Sequence, residues 1–166
     1  QVTLELGANM LMLGGLHKDK ASAIAALEHS LSSGKAAEIF AKMVSALGGP
    51  ADLLEKPQQY LAAAPVVEDI IAPKSGYLQY QDTVGLGMAV VRLGGGRSHP
   101  SQQIDPAVGF SHIKANGQYV QQGEVLAKVH AASADAAAVA AAEYLQALTL
   151  TAEAAQPWPL VHHTIG

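Results

Sequence analysis

The hydrophobic period of this chain changes once, near Pro65, and that change governs what it can build. Before it, apolar residues recur at helical spacing. Leu4, Leu6, Met10, Leu11 and Leu13 share one wide face; Ile24, Leu27 and Leu31 share a second; Ile39, Phe40, Met43, Val44 and Leu47 share a third. Each segment runs into glycine, at Gly14-Gly15, Gly34 and Gly48-Gly49, the residue that most readily takes the left-handed turn closing a helix. The pattern predicts three helices in a row: one through the Leu4–Leu13 segment, one from about Asp19 to Ser33, and one from near Lys35. A short helical connector over 52–60, broken by Pro57, follows.

Beyond Pro65 the β-branched pairs Val66-Val67 and Ile70-Ile71 and the alternating Tyr77-Leu78-Gln79-Tyr80 read as strands, with a turn at Pro73-Lys74-Ser75-Gly76. Asp82 is placed to cap a helix over 83–93 that Gly94-Gly95-Gly96 ends. Gly85 and Gly87 each cost about 1 kcal/mol against alanine in a helix, which leaves a strand as the alternative there. A polar loop over 96–106 precedes strands at 108–114 and 125–130, separated by turns at Asn116-Gly117 and Gln122-Gly123. An alanine-rich helix is expected over 135–148, ended by Gln156-Pro157-Trp158-Pro159, and a last strand over 160–165. These expectations amount to an α+β chain: a helical segment over residues 1–64, then a compact β domain over 65–166 with a flanking helix.

Several function classes fall away early. Without cysteine there is no disulfide framework, thiolate metal site or cysteine nucleophile. A formal charge of −4, with no basic cluster, disfavours nucleic acid and anionic membrane as partners. The apolar run 4–16 is too short to span a bilayer, and neither a basic stretch before it nor a cleavage site after it marks a signal peptide. Gln1 is not an initiator methionine and residues 2–6 read as the inside of a helix, so the chain is expected to be a fragment or a processed product.

Candidate chemistry is sparse. Gly94-Gly95-Gly96-Arg97-Ser98 could offer backbone N–H groups and a guanidinium to an anion, but it lacks the spacing of a nucleotide-binding loop. A helix-ending turn with a solvated arginine explains it as well. The seven histidines, His17, His29, His99, His112, His130, His162 and His163, show no i, i+4 pairing with a carboxylate between them. Adjacent His162-His163 would point to opposite faces of a strand, so no metal site is expected. Asp69, Asp82, Asp105, Glu124 and Glu143 are scattered and read as caps or surface charges. Ser98 and Ser101 flank His99, but sequence neighbours do not make a triad, and no nucleophile elbow is present. Read from the residues alone, the chain has no catalytic residue and needs no cofactor.

Two stretches carry a resemblance. Ile71-Ala72-Pro73-Lys74-Ser75-Gly76-Tyr77 and the segment Gly117 to Ala127 resemble the halves of a biotinyl/lipoyl-type barrel-sandwich. Where a carrier domain presents its lysine on a hairpin, this chain has Val129-His130-Ala131-Ala132-Ser133, so the likeness implies a shared scaffold without swinging-arm chemistry. A wider pattern is more specific. Leu86-Gly87-Met88-Ala89-Val90-Val91-Arg92-Leu93-Gly94-Gly95-Gly96-Arg97, then Ile104 to Phe110, then the glycine-rich segment Val120 to Val129, resemble in that order the C-terminal domain of the pyrimidine-nucleoside phosphorylase family, which includes the thymidine phosphorylases. Upstream, Leu4-Glu5-Leu6-Gly7-Ala8-Asn9-Met10-Leu11 and Leu31 to Phe40 are similar to the last helices of that family's central α/β domain.

The resemblance implies a role in the reversible conversion of thymidine and phosphate to thymine and 2-deoxyribose 1-phosphate, in a cytoplasmic homodimer. It implies that residues 1–64 close the phosphate-binding α/β domain and that 65–166 form a barrel-sandwich-like mixed β domain. The family's phosphate-binding Lys-His-Ser-Thr-Gly-Gly stretch and its pyrimidine-gripping arginine, serine and lysine are absent here. The chain is therefore expected to be inactive alone, its partner being the rest of the same enzyme. The loop from Arg97 to Asp105, with Ser98 and His99 beside the arginine, matches a family segment near the gap between domains. It is expected either to stabilise the closed enzyme or to serve only as an exposed connector. A carrier domain, modified at Lys128 or Lys74, and an independent interaction module are the rival readings.

Overall fold

The computed structural model describes residues 1–154 together with Val161 and His163. Six helices and two small sheets make up the described residues, an α+β chain as the period change predicts. They fall into two compact units, one built on Gln1–Tyr60 and one that begins at Leu61 and contains every strand.

The first unit is helical. α1 (Val2–Leu13) has no side-chain N-cap. α2 (Lys20–Ser32) is capped by Asp19, whose Oδ1 accepts from the Ser22 N–H at 2.9 Å. α3 (Lys35–Ala46) starts directly after Gly34, which sits at φ 81°, a conformation any side chain would resist. α1 and α2 meet through small residues. Ala8 and Ala23 are fully buried, and a Cβ on Gly7 would lie 2.9 Å from Leu27 Cδ1. An ion pair between Lys20 and Glu5 ties the two helices together. The large apolar side chains go elsewhere: Leu6, Met10, Leu13, Ile39, Phe40 and Leu47 are all exposed. The connector is interrupted at Lys56, just before Pro57, as expected, and Pro57 opens α4 (Pro57–Tyr60), because proline has no N–H to lose in a first turn. The Tyr60 hydroxyl donates to Asp52 Oδ1 at 2.6 Å, and Lys56 pairs with Oδ2 at 2.9 Å. These two contacts, the tyrosine's first, hold the Asp52 carboxyl below its ordinary range.

The second unit is two antiparallel three-stranded sheets with a helix packed on them. β1 (Val66–Ile71), β3 (Gly109–Ser111) and β5 (Val125–Ala131) form one sheet in the order β1-β5-β3. β2 (Gly76–Tyr80), β4 (Tyr119–Val120) and β6 (Leu148–Thr151) form the other in the order β4-β2-β6. Among the described residues no closed barrel forms. Ile70, Leu78, Val120, Leu126, Val129, Leu148 and Leu150 meet in one core, and α6 (Ala134–Gln146) lays Ala137, Ala140 and Tyr144 on it. Alanine at those positions lets the helix backbone come close to the sheets. The Tyr144 hydroxyl lies 2.6 Å from that of Tyr80, which in turn reaches the Lys114 carbonyl at 3.0 Å.

Three expectations need correction, and one short strand was not expected. The strand expected over 108–114 shortens to Gly109–Ser111 because His112, at φ 54°, turns the chain out of the sheet. The alanine-rich helix ends at Gln146, and Leu148–Thr151 becomes β6, with Leu148 and Leu150 inward and Thr149 outward. That alternation was visible in the residues but merged into the helical run before it. The two-residue β4 carries too little pattern to be found. The segment 83–93 is helical at first, as α5 (Thr83–Val90), and then widens into a π-turn over Val91–Gly95 with Gly94 at φ 103°. The strand expected over 160–165, the stop at 156–159 and His162 lie wholly or largely outside the described residues.

Candidate functional site

The loop that begins at Arg97 is closed at its neck and bonded to itself. The Asp105 N–H donates to the Gly94 carbonyl at 2.9 Å, drawing the two ends together. Asp105 Oδ1 then accepts from the Ala107 N–H at 2.9 Å and fixes the exit. Within the loop, Gln102 Oε1 accepts from both the N–H and the hydroxyl of Ser98, at 2.9 and 2.7 Å. His99 Nδ1 lies 3.0 Å from the Ser101 hydroxyl, and the Gln102 N–H reaches the His99 carbonyl at 3.1 Å. Ser98 and the Nδ1 of His99 are therefore engaged inside the loop. Arg97 is exposed and forms no ion pair among the described residues. What the loop offers to a partner is a single guanidinium on a shaped support.

The five scattered carboxylates all have structural work. Asp69 pairs with Lys128 at 2.5 Å across β1 and β5. Asp82 caps α5 by accepting from the Gly85 N–H at 2.7 Å, and Asp105 holds the loop exit. Glu143 pairs with Arg92 at 2.8 Å. Glu124 takes the Lys114 ammonium at 2.7 Å and the Gln121 N–H at 3.0 Å; the lysine first, then the amide, lower its pKa. None faces another carboxylate as an acid–base couple would. Lys128 lies mid-strand in that ion pair rather than on a hairpin tip.

One meeting of polar groups was invisible in the sequence. Ser111 Oγ lies 2.7 Å from His130 Nε2 and 2.9 Å from His112 Nδ1. Serine and histidine separated by 19 positions come together because β3 pairs with β5, Gly109 opposite His130. No spacing rule could have found them. A concavity of about 250 Å³ lies between α5 and α6 and is lined mostly by apolar side chains, among them Ala89, Leu93, Val139 and Ala140. Arg92, Asp135 and Glu143 also line it, the first and last as an ion pair. The described residues thus hold a presented arginine and a small histidine–serine cluster.

Comparison with known proteins adds to this geometry. Residues 77–151 match the family model of the pyrimidine nucleoside phosphorylase C-terminal domain. Among curated proteins, a thymidine phosphorylase of Burkholderia orbicola is 44% identical over 165 residues, 99% of this chain and 37% of the relative. One of Burkholderia cenocepacia is 50% identical over 82% of this chain and 31% of the relative. One of Agrobacterium fabrum is 47% identical over 81% and 31%. The chain thus spans about a third of the length of the curated relatives it matches.

Proposed function

The chain belongs to the pyrimidine nucleoside phosphorylase family as a C-terminal portion of the thymidine phosphorylase type, and on that premise we propose that it serves, as part of a longer enzyme, the reversible phosphorolysis of thymidine to thymine and 2-deoxyribose 1-phosphate. The observation that carries this reading is the 44% identity over 99% of the chain to a protein of that name. In that reaction phosphate attacks the anomeric carbon while the enzyme supports the departing pyrimidine anion. The chemistry calls for positioning and charge stabilisation by groups held on closing domains. This chain contains no Lys-His-Ser-Thr-Gly-Gly segment, and Asp69, Asp82, Asp105, Glu124 and Glu143 are engaged in caps, turns and ion pairs. Its own part is therefore support: residues 1–64 complete the catalytic α/β domain and residues 65–166 brace it. The exposed apolar faces of Leu6, Met10, Phe40 and Met43 are then the surface that the rest of the enzyme, a cytoplasmic homodimer, covers.

Arg97 has a direct part in the closed enzyme. Its loop is shaped before any partner arrives, so little ordering cost attaches to its reaching across to the other domain. In the full-length enzyme, Arg97→Ala should lower kcat/KM by about tenfold, the worth of one charge-assisted hydrogen bond. Unchanged turnover and substrate affinity would return the loop to the status of a connector. For the function as a whole, the purified 166-residue chain is mixed with thymidine and phosphate and thymine release is followed. No conversion is expected from the chain alone, and conversion should appear once the missing N-terminal portion is supplied. Turnover by the chain on its own would end the proposal.

A further inference from the structure

The histidine–serine cluster on the β3–β5 edge is not absorbed by any role above. β5 turns Ala127, Val129 and Ala131 into the core, so Lys128 and His130 lie on the opposite face of the strand. Ser111 joins them there, being opposite Lys128 in the register. Alternation along a strand would send the next side chain, His112, to the other face. Its backbone instead takes φ 54°, and no other non-glycine among the described residues has a positive φ. That turn brings the His112 ring round to the Ser111 hydroxyl. The result is two imidazole nitrogens, Nδ1 of His112 and Nε2 of His130, aimed at one small volume.

We propose that His112 and His130 form a chelating pair for a late first-row divalent cation, zinc or copper. Neutral imidazole is the side chain these ions favour. A zinc–nitrogen bond is about 2.0–2.1 Å, against the 2.9 and 2.7 Å that now separate the rings from Ser111 Oγ. A cation seated near the oxygen's position therefore asks each ring to close in by less than about 1 Å. His112 is exposed and His130 half-buried, so both can make that movement while Ser111 swings aside and water fills the open positions. Lys128 shares the face, but its charge is met by Asp69 at 2.5 Å and does not oppose a cation. With two protein ligands instead of four, the site binds more weakly than a structural zinc centre and leaves coordination positions open.

Isothermal titration of the chain with zinc chloride, and separately with copper sulfate, tests this. One equivalent should bind. His112→Asn and His130→Asn should each weaken binding at least tenfold, while His99→Asn leaves it unchanged. Asparagine tolerates the left-handed backbone at 112, and circular dichroism of each variant checks that the fold persists. Ser111→Ala should bind as well as the parent or better, since the rings lose a competing hydrogen bond. Undiminished binding by a folded His112→Asn or His130→Asn chain, or loss of binding in a folded Ser111→Ala chain, overturns the assignment.

Discussion

A carbonyl oxygen cannot donate a hydrogen bond, and that decides how Tyr80 and Tyr144 share their protons. Tyr80 must spend its proton on the Lys114 carbonyl, so Tyr144 donates to the Tyr80 oxygen. The two hydroxyls are thus unequal. Tyr80→Phe strands both a carbonyl and a buried hydroxyl, and should cost about 2–3 kcal/mol in urea unfolding. Tyr144→Phe removes only a donor and should cost about 1 kcal/mol. Burial is the main reason both phenols lie above the ordinary tyrosine pKa, and for Tyr144 the hydrogen bond to Tyr80 adds to it. Folding therefore favours their neutral forms. That contribution is intact below about pH 10 and drains as the pH rises from there toward the folded-state values. Ultraviolet titration of the folded chain should show Tyr80 and Tyr144 ionising above the ordinary tyrosine range. Ionisation of Tyr80 and Tyr144 at the ordinary tyrosine pH in the folded chain would contradict the network.

At the scale of elements, close approach is bought by absent side chains. Gly76, in the central strand of its sheet, has no room for a Cβ: one would sit 2.8 Å from the Thr151 carbonyl oxygen and 3.2 Å from the Leu150 side chain. The obstacle is backbone, which cannot step aside as a side-chain tip can. Gly76→Ala should therefore part β2 from β6 and lower stability by about 1–3 kcal/mol. At Gly7 the neighbour is the end of a Leu27 side chain, which can rotate, and alanine also raises helix propensity by up to about 1 kcal/mol. Gly7→Ala should be near neutral. Thermal melts of the two variants, side by side, check the contrast.

At the scale of the molecule, the two units differ in what they bury. The second unit has a core of isoleucine, leucine, valine and tyrosine side chains, while up to Tyr60 the fully buried hydrophobic residues are two alanines, Ala8 and Ala23. Burial stabilises by about 25 cal/mol per Å² of apolar surface, so α1–α3 gain little from one another. Hydrogen exchange should find the amides of β5 and α6 protected far longer than those of α1–α3. Replacing Leu6, Met10, Leu13 and Phe40 together by glutamine should reduce self-association of the chain in analytical ultracentrifugation without shifting the unfolding of the second unit. Equal protection of all helices would show that the first unit needs no cover.

Local rules were enough for part of this protein. Period, glycine stops and the aspartate cap at Asp82 are properties of a few neighbouring residues, and they located α1, α2, α3, α5, β1, β2 and β5 along the chain. The family resemblance rested on the same kind of information, an ordered run of short motifs. What a face meets is not local. Whether Leu6 and Met10 point into a core, whether Leu148 ends a helix or starts a strand, and that His130 stands over Ser111 all depend on contacts between residues distant in sequence. Such contacts form only when loop closure brings the segments together, and the tertiary structure alone records them.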